Sequence, residues 1–181
     1  MVYVILAQGF EEIEALTPID LLRRVDIDVT SVSLTNDLYV QGGHEIIVKA
    51  DISIDQIDFD ALKMLVLPGG LGGVKTMADD PVVMNLILKV FNAGKKLAAI
   101  CAAPTLLAKL GILKSLSLVC HPSVSNEIMN AGGRLIHNKH AVCDQNLITG
   151  KAAGSSLEFA LEIITNLLDR ETAEQLRCAI T

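Results

Sequence analysis

The chain has 181 residues, 51% of them hydrophobic, 20% charged and only 3% aromatic, with a formal net charge of −6. That length suits one buried core, the aliphatic composition excludes disorder, and the acidic balance without any long Lys/Arg run argues against nucleic acid as a primary partner. No apolar run approaches the roughly 20 residues of a membrane-spanning helix, and no basic leader with a small-residue cleavage site is visible, so a cytoplasmic protein without membrane association is expected.

Taken in chain order, aliphatic runs of strand length alternate with amphipathic stretches of helical length. VYVILA at 2–7 predicts a first strand, and a helix follows over roughly 11–24. DVTSVSL at 28–34 predicts a second strand, and a short pair lies around YV at 39–40 and EIIVKA at 45–50. KMLVLP at 63–68, a helix over 80–93 and LAAIC at 97–101 continue the alternation. Next come a helix over 103–110, SLVC at 117–120, a helix near 123–131, short strands at RLI, AVC and LIT, and a final helix over 155–168. Strands that are apolar throughout and separated by helices imply βαβ units. The expectation is a single-domain α/β fold over 1–181, a flavodoxin-like (Rossmann-like) sandwich with a mostly parallel sheet and helices on both faces.

Three stretches carry residue types capable of chemistry. In LAAICAAPTLLAKLG a buried strand stops at Cys101 and a helix begins at once, the strand-turn-helix context of a nucleophile elbow. Helix amides near the sulfur favour thiolate, so a low-pKa cysteine is expected; the other reading is a small buried residue, because free cysteine is often buried. EEIEALTPID opens the first helix with three carboxylates. Glu11 and Glu12 read as dipole complements on a solvated face, whereas Glu14 lies near the carboxyl ends of the strands, where ligands bind in open α/β sheets. Its carboxyl and Cys101 would share one crevice.

VLPGGLGG places Gly69 and Gly70 just after a strand, where backbone amides can approach a ligand; a simple tight turn is the alternative. Neither the phosphate-loop nor the dinucleotide-binding pattern is matched. His121, at the end of SLVC, is either a neighbour of Cys101 or a structural histidine. The four cysteines, at 101, 120, 143 and 178, form no C-x-x-C pair, which argues against a zinc knuckle or redox dithiol and for free thiols.

Together AQGFEEIEALTPIDLLRR, VLPGG, AAICAAPTLLA, CHP at 120–122 and LITGKAAGSSLEFAL resemble, in order and spacing, the ThiJ/PfpI superfamily, and within it the Parkinson-linked branch of glyoxalases, protein deglycases and redox-responsive chaperones. The resemblance implies Cys101 as nucleophile and Glu14 as its protonated partner, with the amides of Gly70 and Ala102 facing the reacting oxygen beside Gly69. It implies His121 as an auxiliary residue with Asp20 as its polar neighbour. His44 and Lys151 stand where relatives carry arginine, and fall at the rim or behind it. Ala102 replaces the histidine of the peptidase-like branch, which disfavours a Cys-His dyad.

The implied activity is cofactor-independent and metal-free. Cys101 captures methylglyoxal, or the carbonyl of a glycated protein, as a hemithioacetal, and Glu14 moves a proton between adjacent carbons. The alternative is a redox-sensing chaperone whose Cys101 is oxidised to sulfinic acid. Relatives of this branch imply a homodimer.

Overall fold

The computed structural model describes residues 1–180; Thr181 lies outside the described residues. The first half of the chain forms β1 (Val2–Leu6), α1 (Glu12–Arg24), β2 (Val29–Ser33), β3 (Tyr39–Gln41), β4 (Ile47–Lys49), β5 (Ile52–Ser53), β6 (Met64–Leu67), α2 (Leu71–Asp79) and α3 (Pro81–Asn92). The second half forms β7 (Lys96–Ile100), α4 (Pro104–Lys109), β8 (Ser117–Leu118), α5 (Ser125–Asn130), β9 (Arg134–Leu135), β10 (Ala141–Asp144), β11 (Leu147–Gly150), α6 (Ser156–Leu167) and α7 (Arg170–Ile180).

Seven strands make the central sheet in the order β10, β11, β7, β6, β1, β2, β5. Every pairing is parallel except that of β10 with β11. The expected α/β class follows from the alternation of side chains along strands buried on both faces. In β1, Tyr3 and Ile5 pack into one core cluster and Val2, Val4 and Leu6 into the other. The first cluster is completed by Met77, Ile87 and Leu106 from α2, α3 and α4; the second by Leu22, Phe159 and Leu176 from α1, α6 and α7. Helices therefore cover both faces of the sheet.

Local chemistry sets several boundaries. The Asp80 carboxylate accepts the amides of Val82 and Val83 at 2.8 and 3.4 Å, and Pro81 starts α3 where its missing N–H costs nothing. Pro18 stands inside α1, so the turn that follows Glu14 has one main-chain donor fewer.

Three departures from the sequence expectations bear on the site. A helix absent from the sequence reading, α2, starts at Leu71 immediately after the glycine pair, with Gly70 as its N-cap at φ 86°. A second helix, α7, follows α6 and buries Ala173 and Leu176. The strand before His121 is not a neighbour of the one before Cys101: β8 pairs only with β9 in a separate two-stranded sheet, and β7 is flanked by β6 and β11. The hydroxyl of Thr149 on β11 accepts the Val119 amide at 3.0 Å, so the segment after β8 is tied to the central sheet through a side chain.

Candidate active site

Three loops that leave the carboxyl ends of parallel strands meet over β1, β6 and β7, the region where open α/β sheets present ligand sites. β6 delivers Gly69 and Gly70, and β7 delivers Cys101. The β1–α1 connection brings Glu11 and then Glu14 in the first turn of α1. The Cys101 amide donates to Gly150 O at 3.0 Å, and its carbonyl accepts the His121 amide at 2.8 Å, so the turn is fixed from both sides. Cys101 has φ 65°, the left-handed region that a Cβ-bearing residue occupies at a cost of about 1–3 kcal/mol. That conformation points the side chain off the sheet edge, into a cavity of about 190 Å³.

Glu14 is fully buried. Its Oε2 accepts the Gly69 amide at 2.8 Å, while Oε1 has no hydrogen-bond partner of ordinary geometry among the described residues. The carboxyl and the Cys101 thiol act on each other directly. A Cβ at position 69 would fall against Glu14 Oε2 and 2.7 Å from Cys101 Cβ, so only glycine leaves room for both groups. Burial pushes the Glu14 carboxyl up to about 7; the Cys101 thiol and the Gly69 amide oppose the rise, and the Glu11 carboxylate adds to it.

The low-pKa cysteine expected from the helix start is corrected here. Burial pushes the Cys101 thiol up to about 12, the Glu14 carboxylate adds to that, and the amides of Ala102 and Gly70 only partly offset it. The physical reason is geometric: α4 is six residues long and begins three positions after Cys101, so two amides face a buried sulfur next to an acid. The two groups lie close enough to titrate as one coupled pair.

The cavity is lined by Glu11, Gly70, Leu71, Cys101, Ala102, His121 and Ser123. Of the residues singled out from sequence, Cys101, Gly70, Ala102 and His121 line it, with Glu14 and Gly69 directly behind. The His121 imidazole is turned to Ser123, with Nδ1 at 2.8 Å from its Oγ and 3.2 Å from its amide. Asp20 is elsewhere, in an exposed pair with Arg24 at 2.8 Å, and does not touch His121. Lys151 lines a different cavity.

Glu11 and Glu12 are not two solvated dipole complements. Glu12 is 5% exposed and accepts the His44 amide at 2.7 Å and its Nδ1 at 2.9 Å; Glu11 Oε1 lies 3.6 Å from the same Nδ1. The two carboxylates hold the His44 imidazole above its ordinary pKa, and the bond to His44 holds the Glu12 carboxyl below its own against the opposing effect of burial. His44 thus sits behind the rim, joined to the cavity through Glu11. These three residues are the group of His, Cys, Asp or Glu side chains whose ligand atoms converge within 4.8 Å among the described residues, and the imidazole already occupies the centre as the partner of both acids. Glu11, Leu71 and Ser123 are lining residues that sequence patterns did not single out; the pairing of Glu11 with His44, 33 positions away, leaves no local signal.

The DJ-1/PfpI family model matches residues 1–166. The chain is 38% identical to Protein dj-1beta of Drosophila melanogaster over 173 residues, covering 96% of this chain and 92% of that one. The Drosophila DJ-1beta crystal structure superposes with a TM-score of 0.93 at 36% identity, over 99% of this chain and 96% of that one. A Caenorhabditis elegans relative named glutathione-independent glyoxalase DJR-1.2 is 29% identical over 172 residues, 86% of this chain and 91% of that one. No helix among the described residues is long and apolar enough to cross a membrane.

Proposed function

The chain belongs to the DJ-1/PfpI family, and from that premise we propose that it is a cofactor-independent glyoxalase that converts methylglyoxal to lactate through Cys101, with protein deglycase activity on the matching adducts. The observation that carries this reading is the buried Glu14 carboxyl, with one oxygen unpartnered, set against a thiol in a small cavity. A carboxyl with a pKa of about 7 accepts and releases a proton with comparable ease at neutral pH.

The steps balance without a co-reactant other than water. Cys101 sulfur attacks the aldehyde carbon while its proton passes to Glu14 and on to the aldehyde oxygen, giving a hemithioacetal. The amides of Gly70 and Ala102 stabilise the charge developing on sulfur and oxygen. Glu14, again a carboxylate, takes the C1 proton and returns it to C2, while the C1 hydroxyl proton passes to the C2 oxygen through the enediol, giving a lactoyl thioester. Water cleaves that thioester to lactate and the free thiol. His121, Gly69 and Glu11 shape the cavity, and Asp20, His44 and Lys151 have no part in bond making.

A second reading draws on the same oxygen. A neutral Glu14 would donate to a sulfinate oxygen on Cys101, which suits a redox-sensing chaperone of oxidative-stress protection. Four free thiols fit a reducing compartment such as the cytoplasm. Exposed Ile13 on α1, and Ile46 and Ile47 on the hairpin that His44 ties to it, favour burial against a second copy in a homodimer.

The test is lactate formation from methylglyoxal without glutathione, alongside intact mass after dilute peroxide, for wild type and Cys101→Ser. Turnover that vanishes in the variant supports the enzyme. No turnover, together with a peroxide-dependent gain of two oxygens and holdase activity, would replace it with the second reading.

A further inference from the structure

Cys120 and Pro122 flank His121 in sequence but open on the other side of the chain. His121 is extended, with φ −62° and ψ 138°, so its neighbours turn away from it. His121 and Ser123 face the Cys101 cavity, while Val119, Cys120 and Pro122 face a second cavity of about 280 Å³. One strip of chain is the shared wall.

The second cavity has an apolar floor, from Val119 and Leu135, and a polar mouth, from Ser125, His137, Asn138 and Lys151. No carboxylate lines it, although the whole chain carries a net charge of −6. None of the ion pairs among the described residues engages Lys151, whose side chain is exposed at that mouth. A lone ammonium in a lining that also offers an imidazole, an amide and a hydroxyl suits a small anion of single charge. An apolar floor rewards a ligand that also has carbon to bury.

We propose that this cavity is a binding site for a small monocarboxylate with an apolar body, separate from the Cys101 cavity. The carboxylate meets Lys151 and His137, and the hydrocarbon part lies on Val119 and Leu135. Inorganic phosphate lacks the apolar half, and a neutral amide lacks the charge.

Benzoate, benzamide and inorganic phosphate are the probes, each titrated to about 10 mM, the range of weak single-site binding, into the full ¹⁵N-labelled chain. Saturable amide shifts are expected with benzoate, centred on Val119, Cys120, Leu135, His137 and Lys151. Benzamide and phosphate should move these signals at least tenfold less. Lys151→Gln should weaken benzoate at least tenfold, whereas Lys139→Gln, next to Asn138 on the β9–β10 connection but outside the cavity, should leave it unchanged. Raised salt should weaken binding as well. The inference is overturned if benzoate produces no saturable shift or if benzamide matches it. Equal affinity in Lys151→Gln, or shifts centred on Glu11, Gly70 and Ala102, would overturn it too.

Discussion

The His121 amide donates to the carbonyl oxygen of Cys101 at 2.8 Å, while the His121 imidazole turns away to Ser123. The histidine is thus tied to the nucleophile through its main chain. A side-chain substitution leaves that bond in place. His121→Ala is expected to reduce methylglyoxal kcat/KM by less than about tenfold, against the 10²- to 10⁴-fold loss typical of a missing general base. Steady-state kinetics decides, and a loss of several hundredfold would make the imidazole a catalytic partner.

Glu14 should leave a signature in stability as a function of pH. Its folded pKa, about 7, stands above its ordinary value of 4.5, so the uncharged form is favoured in the fold. The stability it contributes is complete below about pH 4.5 and is lost as pH rises through about 7, an effect of about 3 kcal/mol. Glu12 and Asp51, with lowered pKa values, act in the opposite sense and lose their contribution as pH falls. Urea midpoints at pH 5 and pH 8 for wild type and Glu14→Gln isolate the difference. The variant should be relatively more stable at pH 8, and parallel curves would exclude an elevated carboxyl. In turnover the same variant keeps a hydrogen-bond donor but cannot shuttle a proton, so activity should fall at least 10²-fold.

Gly69→Ala is expected to abolish turnover while the protein remains folded. The added Cβ enters the space between Glu14 Oε2 and Cys101 Cβ, which belongs to the proton path and not to the main core. Circular dichroism and lactate formation, measured together, check this. Activity above about one tenth of wild type, the ratio set by 1.4 kcal/mol of barrier, would show that the carboxyl and thiol need not touch.

The backbone at Cys101 gives a prediction independent of chemistry. At φ 65° glycine is unstrained, so Cys101→Gly should be more stable than Cys101→Ala by about 1 kcal/mol. Chemical denaturation of the two variants measures it, and equal midpoints would mean the turn is not strained.

Among the four thiols, Cys120 and Cys143 are pushed up by burial, Cys143 with the Glu162 carboxylate adding to the rise, and neither lines the Cys101 cavity; Cys178 is the exposed benchmark. Brief exposure to methylglyoxal, with peptide mapping under trapping conditions, should find the adduct on Cys101 at least tenfold above Cys178. Preferential modification of Cys178 would remove the special status of the elbow.

The parallel sheet is legible in the sequence because VYVIL, MLVL and KLAAI are apolar at nearly every position, a pattern that only strands covered on both sides tolerate. The break at Cys101 is legible from the change of period on either side of it. The α2 helix is not, because Gly72 and Gly73 argue against a helix locally. Tertiary packing requires them there, since a Cβ on Gly73 would lie 2.8 Å from Phe10 Cα. The α7 helix hides in a polar stretch where only Ala173 and Leu176 face the core. The burial of Glu12 depends on His44, 32 positions later, and the elevated thiol depends on Glu14 from another loop. Interactions between distant segments have no local period to read.

The two ends of the central sheet differ from its middle in a way that bears on solubility. At one end β5 is a strand of only two residues; at the other β10 runs antiparallel, is half-buried along its length and packs against β8. A long flat strand with free amides would be a template for runaway polymerisation, and neither border offers one. Concentrated solutions should therefore resist fibre growth by strand addition.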